Sequence, residues 1–272
     1  MSKKKKEALP VLSDNAYVID SHCHLDMDSY STDCREVVQR AGQVGVKYVM
    51  TIGIDLQSSR AAVRIAEQHS EVYCSIGVHP HHCAETNSED YEVLVELAGH
   101  PKVKAYGEIG LDYVKNYAPK ETQLDHFKRQ VNLAKKLNLP LIVHDREAHA
   151  DVMGILSEAA PFPSGGVMHC YSGDSHLAKE VLDLGFYISI PGVVTFKKAT
   201  VIQEVVADVP LASMLVETDG PYLSPEPYRG RRNEPAYVLY TAKKIAEIKG
   251  VALDEVASQT SRNACRLFGL KG

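Results

Sequence analysis

The chain has 272 residues, of which 44% are hydrophobic and 24% charged, with a formal net charge of −5. That balance is ordinary for a globular protein able to bury a sizeable core, and its acidity argues against a protein that coats duplex nucleic acid by bulk electrostatics. No apolar stretch approaches the ~20 residues of a membrane span, and the lysine run Lys3 to Lys6 lacks the apolar segment of a secretory leader, so residues 1–14 are expected to be a disordered basic tail and residues 15–272 one folded domain.

In chain order, Val18 to Asp26 reads as a short apolar strand ending in His22 and His24. Residues two apart in an extended chain share a face, so both imidazoles can address one object. Asp33 to Val44 has helical spacing, and Val46 to Gly53 is a second strand. A helix over Ser58 to His69 is expected to be capped by Ser58 or Ser59. Val72 to Val78 is the third strand, leading into His79-Pro80-His81-His82. A helix begins at Ser88. Val103 to Ile109 is the fourth strand and contains Glu108.

The long helix Lys120 to Leu137 places Leu124, Phe127, Val131, Ala134 and Leu137 on one face. Pro140 to His144 is the fifth strand, followed by a helix near Ala148 to Ala159. Gly166 to Cys170 is the sixth and carries His169. A helix from Ser175 to Leu184 ends at Gly185. Phe186 to Ile190 is the seventh strand, a helix covers about Ala199 to Val206, and Met214 to Asp219 is the eighth. Two helices, Pro235 to Lys249 and Leu253 to Phe268, close the chain. Eight short strands alternating with helices in this length imply a single-domain α/β fold, a (β/α)₈ TIM barrel, more than an open doubly wound sheet. No glycine-rich phosphate fingerprint follows the first strand.

In such a barrel the C-terminal strand ends build the active site. His22 and His24, Glu108, His144, His169 and Asp219 stand at the ends of five strands. Singly, His144 could be a core histidine, Glu108 a salt-bridge partner and Asp219 a turn cap; together they point to a metal centre. Four imidazoles and two carboxylates exceed what one open site uses and suit two divalent ions that clamp a substrate oxygen and activate water. Glu108 is the natural bridge between the cations and Asp219 the candidate general base. Imidazole and carboxylate donors are compatible with Zn²⁺, Mn²⁺, Fe²⁺ or Mg²⁺. The loop Tyr228 to Pro235, with Arg229, Arg231 and Arg232, reads either as a phosphate or carboxylate clamp or as a solvated basic loop. Six dispersed cysteines without a C-x-x-C pair read as free thiols in a reducing compartment, hence a cytoplasmic protein.

Taken together, several stretches resemble the TatD-family metal-dependent deoxyribonucleases, a branch of the amidohydrolase-like barrels. They are Asp20 to Asp26, Gly77 to His81, Gly107 to Tyr113, Leu141 to His144, His169 to Gly173, Glu217 to Leu223 and Arg231 to Pro235. The resemblance implies a metal-dependent hydrolase of DNA phosphodiesters, a 3′-to-5′ exonuclease preferring single strands, with two metal ions and Mg²⁺ as the usual activator. It also implies that His22, His24, Glu108 and Asp219 hold one ion, that Glu108, His144 and His169 hold the other, and that His79, Tyr171 and the arginine loop (Arg229, Arg231) face the DNA. No membrane association and no obligate protein partner are expected. Two departures stand out: Asp145 where a serine is common, adding negative charge, and Gly220 where alanine or serine is common, which would loosen the turn behind Asp219. The rival reading is hydrolysis of a small amide, lactone or other ester by the same binuclear centre.

Overall fold

A computed structural model describes residues 8–115 and 117–272. The expected basic tail falls partly outside these residues, the lysine run entirely so. Within the described part, Leu12 packs against the core and the Ser13 N–H donates to Asp254.

Eight strands form one parallel sheet in sequential order: β1 (Val18–Cys23), β2 (Val46–Ile52), β3 (Val72–Ile76), β4 (Val103–Asp112), β5 (Leu141–Arg146), β6 (Gly166–Met168), β7 (Tyr187–Ile190) and β8 (Met214–Val216). The ring closes where Cys23 bridges Gly220 and the Ser21 hydroxyl donates to the Val216 carbonyl at 3.0 Å. The nine helices of the described chain are α1 (Cys34–Gln43), α2 (Leu56–Gln68), α3 (Ser88–Leu97), α4 (Lys120–Leu137), α5 (His149–Ala159), α6 (Ser175–Asp183), α7 (Thr200–Asp208), α8 (Val238–Lys249) and α9 (Leu253–Phe268). The molecule is thus the single-domain (β/α)₈ barrel expected from the sequence. No helix among the described residues is long and apolar enough to cross a membrane.

Local chemistry explains the boundaries. Helix α2 is capped by Asp55 rather than by Ser58 or Ser59, because Asp55 and Ser58 form a reciprocal capping box with Ser58 at the third helical position. Asn87 and Asp90 do the same for α3, and Asp174 caps α6. Of the expected face of α4, Phe127, Val131 and Ala134 are fully buried, while Leu124 and Leu137 are half-buried at its edge.

The core has two parts. The larger lies between strands and helices. The smaller draws Ile19, Met50, Ala105, Ile142, Val167 and Leu215 from six strands, together with Leu267 and Phe268 of α9. It fills the barrel interior from below and leaves the opposite, C-terminal mouth to polar side chains.

Candidate metal centre

The end of β1 sets the site. The β1–β2 register shifts between Asp20 and Cys23, and Asp20, His22 and His24 are all buried there. The last strand is stitched to them: the Asp219 N–H donates to the His22 carbonyl at 2.9 Å and the His24 N–H to the Gly220 carbonyl at 2.7 Å. Asp20 accepts the Thr218 N–H at 2.8 Å and its hydroxyl at 2.5 Å, fixing the turn that carries Asp219.

Glu108 is the hub. Its Oε2 lies 3.3 Å from His22 Nε2 and 3.8 Å from His24 Nε2. Its Oε1 lies 2.7 Å from His144 Nδ1, 2.9 Å from His169 Nε2 and 3.5 Å from His79 Nε2. Asp219 Oδ1 stands 3.4 Å from His24 Nε2 and 3.8 Å from His22 Nε2. The two carboxylate oxygens therefore sort the imidazoles into two sets. His22, His24 and Asp219 lie on one side; His144, His169 and also His79 lie on the other. His22, Glu108 and His169 are close enough to share an ion as well, with the two rings stacked at 3.7 Å.

The protonation pattern suits cation binding. Burial, helped by the neighbouring His169, pushes the His22 imidazole down to about 3, and neither of its ring nitrogens has a hydrogen-bond partner. A fully buried imidazole with both nitrogens unsatisfied is costly unless something else binds it. Burial works to raise Glu108, but the His169 and His79 imidazoles outweigh it and hold the carboxyl well below its usual range. Burial works to lower His169, but Glu108 and Glu217 outweigh it and hold the imidazole well above its usual range. A buried anion shared among neutral and protonated imidazoles is a donor set that fits divalent cations, which would displace the protons.

Sequence reasoning missed the side chains behind these donors. Glu217, fully buried, accepts the Cys170 N–H at 2.7 Å and lies 3.3 Å from His169 Nδ1. Asp112 accepts the Val114 and Lys115 N–H groups at 2.9 and 3.0 Å, and its Oδ2 lies 2.8 Å from His81 Nε2 and 3.4 Å from His144 Nε2. Carboxylates in that position orient ligating imidazoles and raise their basicity. The missed signal was the alternation itself: Asp112 stands four residues from Glu108, and Glu217 two from Asp219.

The chain matches the family described as TatD related DNase over residues 19–269. It belongs to that family. It is 43% identical over 251 residues to the "Uncharacterized metal-dependent hydrolase YabD" of Bacillus subtilis, covering 92% of this chain and 98% of the relative. It is 34% identical over 259 residues to the "3'-5' ssDNA/RNA exonuclease TatD" of Citrobacter rodentium, covering 93% and 98%. The crystal structure of YjjV, a TatD homologue from Escherichia coli, superposes with a TM-score of 0.89 at 30% identity, covering 93% of this chain and 98% of that one.

In this TatD-family barrel the donors open into a cavity of about 720 Å³. Glu108, His79, His144, His169 and Asp219 line it, and its basic residues are Lys115 and Arg146. The arginine loop is turned to other tasks. The Arg229 guanidinium lies over the Phe196 ring at 4.3 Å and Arg231 over Tyr228 at 5.8 Å; neither lines the cavity. Arg232 forms a two-pronged pair with Asp33, both contacts at 2.7 Å. Tyr171 is also elsewhere: it is 2% exposed and its hydroxyl donates to the Asp174 carbonyl at 2.7 Å.

The two departures have local reasons. Asp145 lines the cavity beside the donors, and it also faces His149 Nδ1 at 2.7 Å and accepts the Ala148 N–H at the start of α5. A Cβ at Gly220 would sit 2.5 Å from the Tyr30 hydroxyl and 3.0 Å from Cys23 Sγ. Glycine at this position leaves the room in which Tyr30 reaches the Asn233 carbonyl at 2.7 Å.

Proposed function

We propose that this TatD-family chain is a hydrolase that uses two divalent ions, Mg²⁺ in function, to cleave DNA phosphodiesters as a 3′-to-5′ exonuclease preferring single strands. The observation that carries the reading is the division of imidazoles about Glu108, whose two oxygens face His22 and His24 on one side and His144 and His169 on the other. The name of the Citrobacter relative supports the substrate and polarity. Six free cysteines support a reducing, cytoplasmic setting.

His22, His24, Glu108 and Asp219 would hold one ion and Glu108, His144 and His169 the other, with His79 able to join the second set. When bound, the ions supply Lewis-acid charge to the phosphate and acidify water. Asp219, at the lip of the cavity with its side chain 13% exposed, accepts the proton of the attacking water. Lys115 and Arg146 attract the polyanion and hold phosphate oxygens beside the centre. Asp112 and Glu217 keep the His144 and His169 rings aimed at Glu108.

The test is hydrolysis of end-labelled single- and double-stranded DNA across Mg²⁺, Mn²⁺, Zn²⁺ and Fe²⁺, beside a panel of small amides and lactones. Faster stepwise loss from the 3′ end of the single strand, abolished in Glu108→Ala, is expected. Turnover of amides or lactones with DNA left intact would replace this reading with the amidohydrolase one.

A further inference from the structure

The chain has 14 tyrosines and five phenylalanines. Tyr117 and Tyr222 alone among them are strongly exposed, at 63% and 52%, and both line the cavity over the metal donors. Exposed aromatic area is costly in water, and its confinement to the walls of the cavity over the metal donors marks a binding surface. The two rings sit on opposite donor sets. Tyr222 packs edge-on against His24 at 6.4 Å, beside Asp219; Tyr117 packs edge-on against His81 at 4.8 Å, beside Asp112 and His144.

Both rings are presented by pinned backbone. The Tyr222 N–H donates to the Asp219 carbonyl at 2.9 Å, and its own carbonyl accepts Asn233 Nδ2 at 2.6 Å. Next to Tyr117, the Ala118 carbonyl accepts Gln123 Nε2 at 2.9 Å, while Asp112 holds the N–H groups of Val114 and Lys115. Backbone fixed beside each ring lowers the ordering cost of stacking against it.

We propose that Tyr117 and Tyr222 are stacking platforms for unpaired bases on either side of the scissile phosphate, and that they make the enzyme specific for single strands. This rests on the phosphodiesterase reading above and adds the residues that discriminate. Bases in a duplex are stacked on one another and cannot lie against protein rings, whereas splayed bases can, and any base has a face to offer. Lys115 and Arg146, on the same walls, supply the sequence-independent attraction to the backbone.

The experiment uses Tyr117→Leu, Tyr222→Leu and the two Phe replacements. Their binding to a labelled oligothymidylate is read by fluorescence anisotropy in a Glu108→Gln background, and their KM and kcat with single-stranded, duplex and abasic-spacer oligomers in the otherwise native protein. Stacking is worth ~1–3 kcal/mol per base, so each Leu variant is expected to weaken oligothymidylate binding roughly tenfold, with Phe retaining affinity. KM for the single strand should rise with little change in kcat. Neither duplex hydrolysis nor hydrolysis at abasic spacers should change with the Leu variants, because no base reaches the rings there. Leu variants that bind and cleave the single strand like the parent, or that lose as much on abasic spacers, would overturn the proposal while leaving the hydrolase reading standing. A parent protein that cleaves no DNA, yet binds oligothymidylate in a Tyr-dependent way, would sink the hydrolase reading and keep the platform.

Discussion

Glu217 is fully buried and touches His169 from the side away from Glu108. Replacing it with Gln keeps the volume and an oxygen that can still accept the Cys170 N–H, so the fold should hold within ~1 kcal/mol. What disappears is a negative charge 3.3 Å from His169 Nδ1. Two effects follow with opposite signs. His169 loses part of what holds its proton, which eases metal entry; the divalent ion loses a nearby anion and a more basic ligand, which opposes entry. The second should win, because the attraction acts on a charge of two and persists after the proton has gone. Loss of a carboxylate behind a ligating imidazole costs about 10–100-fold in metal affinity, or ~1.4–2.8 kcal/mol. Titration calorimetry with Mn²⁺ or Zn²⁺ reads this directly, and the same titration should show fewer protons released than in the parent. Glu217→Ala should additionally destabilise the fold by ~1–3 kcal/mol, because the Cys170 N–H is then buried without a partner. If Glu217→Gln binds metal within twofold of the parent at unchanged stability, the orienting role is wrong.

Other outcomes follow from the same geometry. Gly110 has φ +152°, and a Cβ there would lie 1.9 Å from the His144 carbonyl oxygen, so Gly110→Ala should cost roughly 2–6 kcal/mol and deplete bound metal; an unchanged denaturation midpoint would contradict this. Asn233 Nδ2 donates to the Thr218 and Tyr222 carbonyls at 2.7 and 2.6 Å, so Asn233→Ala should lower stability by roughly 2–4 kcal/mol, read as a lower Tm; a shift too small to measure would refute it. Metal affinity should fall with falling pH. Burial opposes protonation of His169 and His144, yet Glu108 with Glu217, and Asp112 with Glu108, outweigh it and raise both above the ordinary imidazole value. Metal uptake must then expel protons, and affinity declines once pH drops below those raised values. Calorimetry in two buffers of different ionisation heat checks the sign; identical heats would mean the imidazoles are already neutral.

Much of this was legible in the chain because β/α alternation leaves a local mark on every strand, and a polar donor closing an apolar run marks the barrel mouth. His22, His24, Glu108, His144, His169 and Asp219 were found that way and lie together around Glu108. What the chain did not announce depended on side-chain direction or on partners distant in sequence. Tyr171 shares a stretch with His169, but its ring turns back onto Asp174. Within the arginine loop nothing local announces Asp33, which lies 199 residues from Arg232 and binds it. Ser58 looked like a cap because the capping box is read from both ends, and Asp55 was the other end. Tyr117 and Tyr222 could not be singled out, since exposure is a property of the folded wall.

The central claim is that one carboxylate, Glu108, joins two cation sites. Diffraction from crystals soaked in Mn²⁺, with anomalous differences measured at the manganese edge, tests it most directly. Two peaks are predicted, one against each Glu108 oxygen, the first ringed by His22, His24 and Asp219 and the second by His144 and His169. A single peak away from Glu108, or none at saturating metal, would contradict the account.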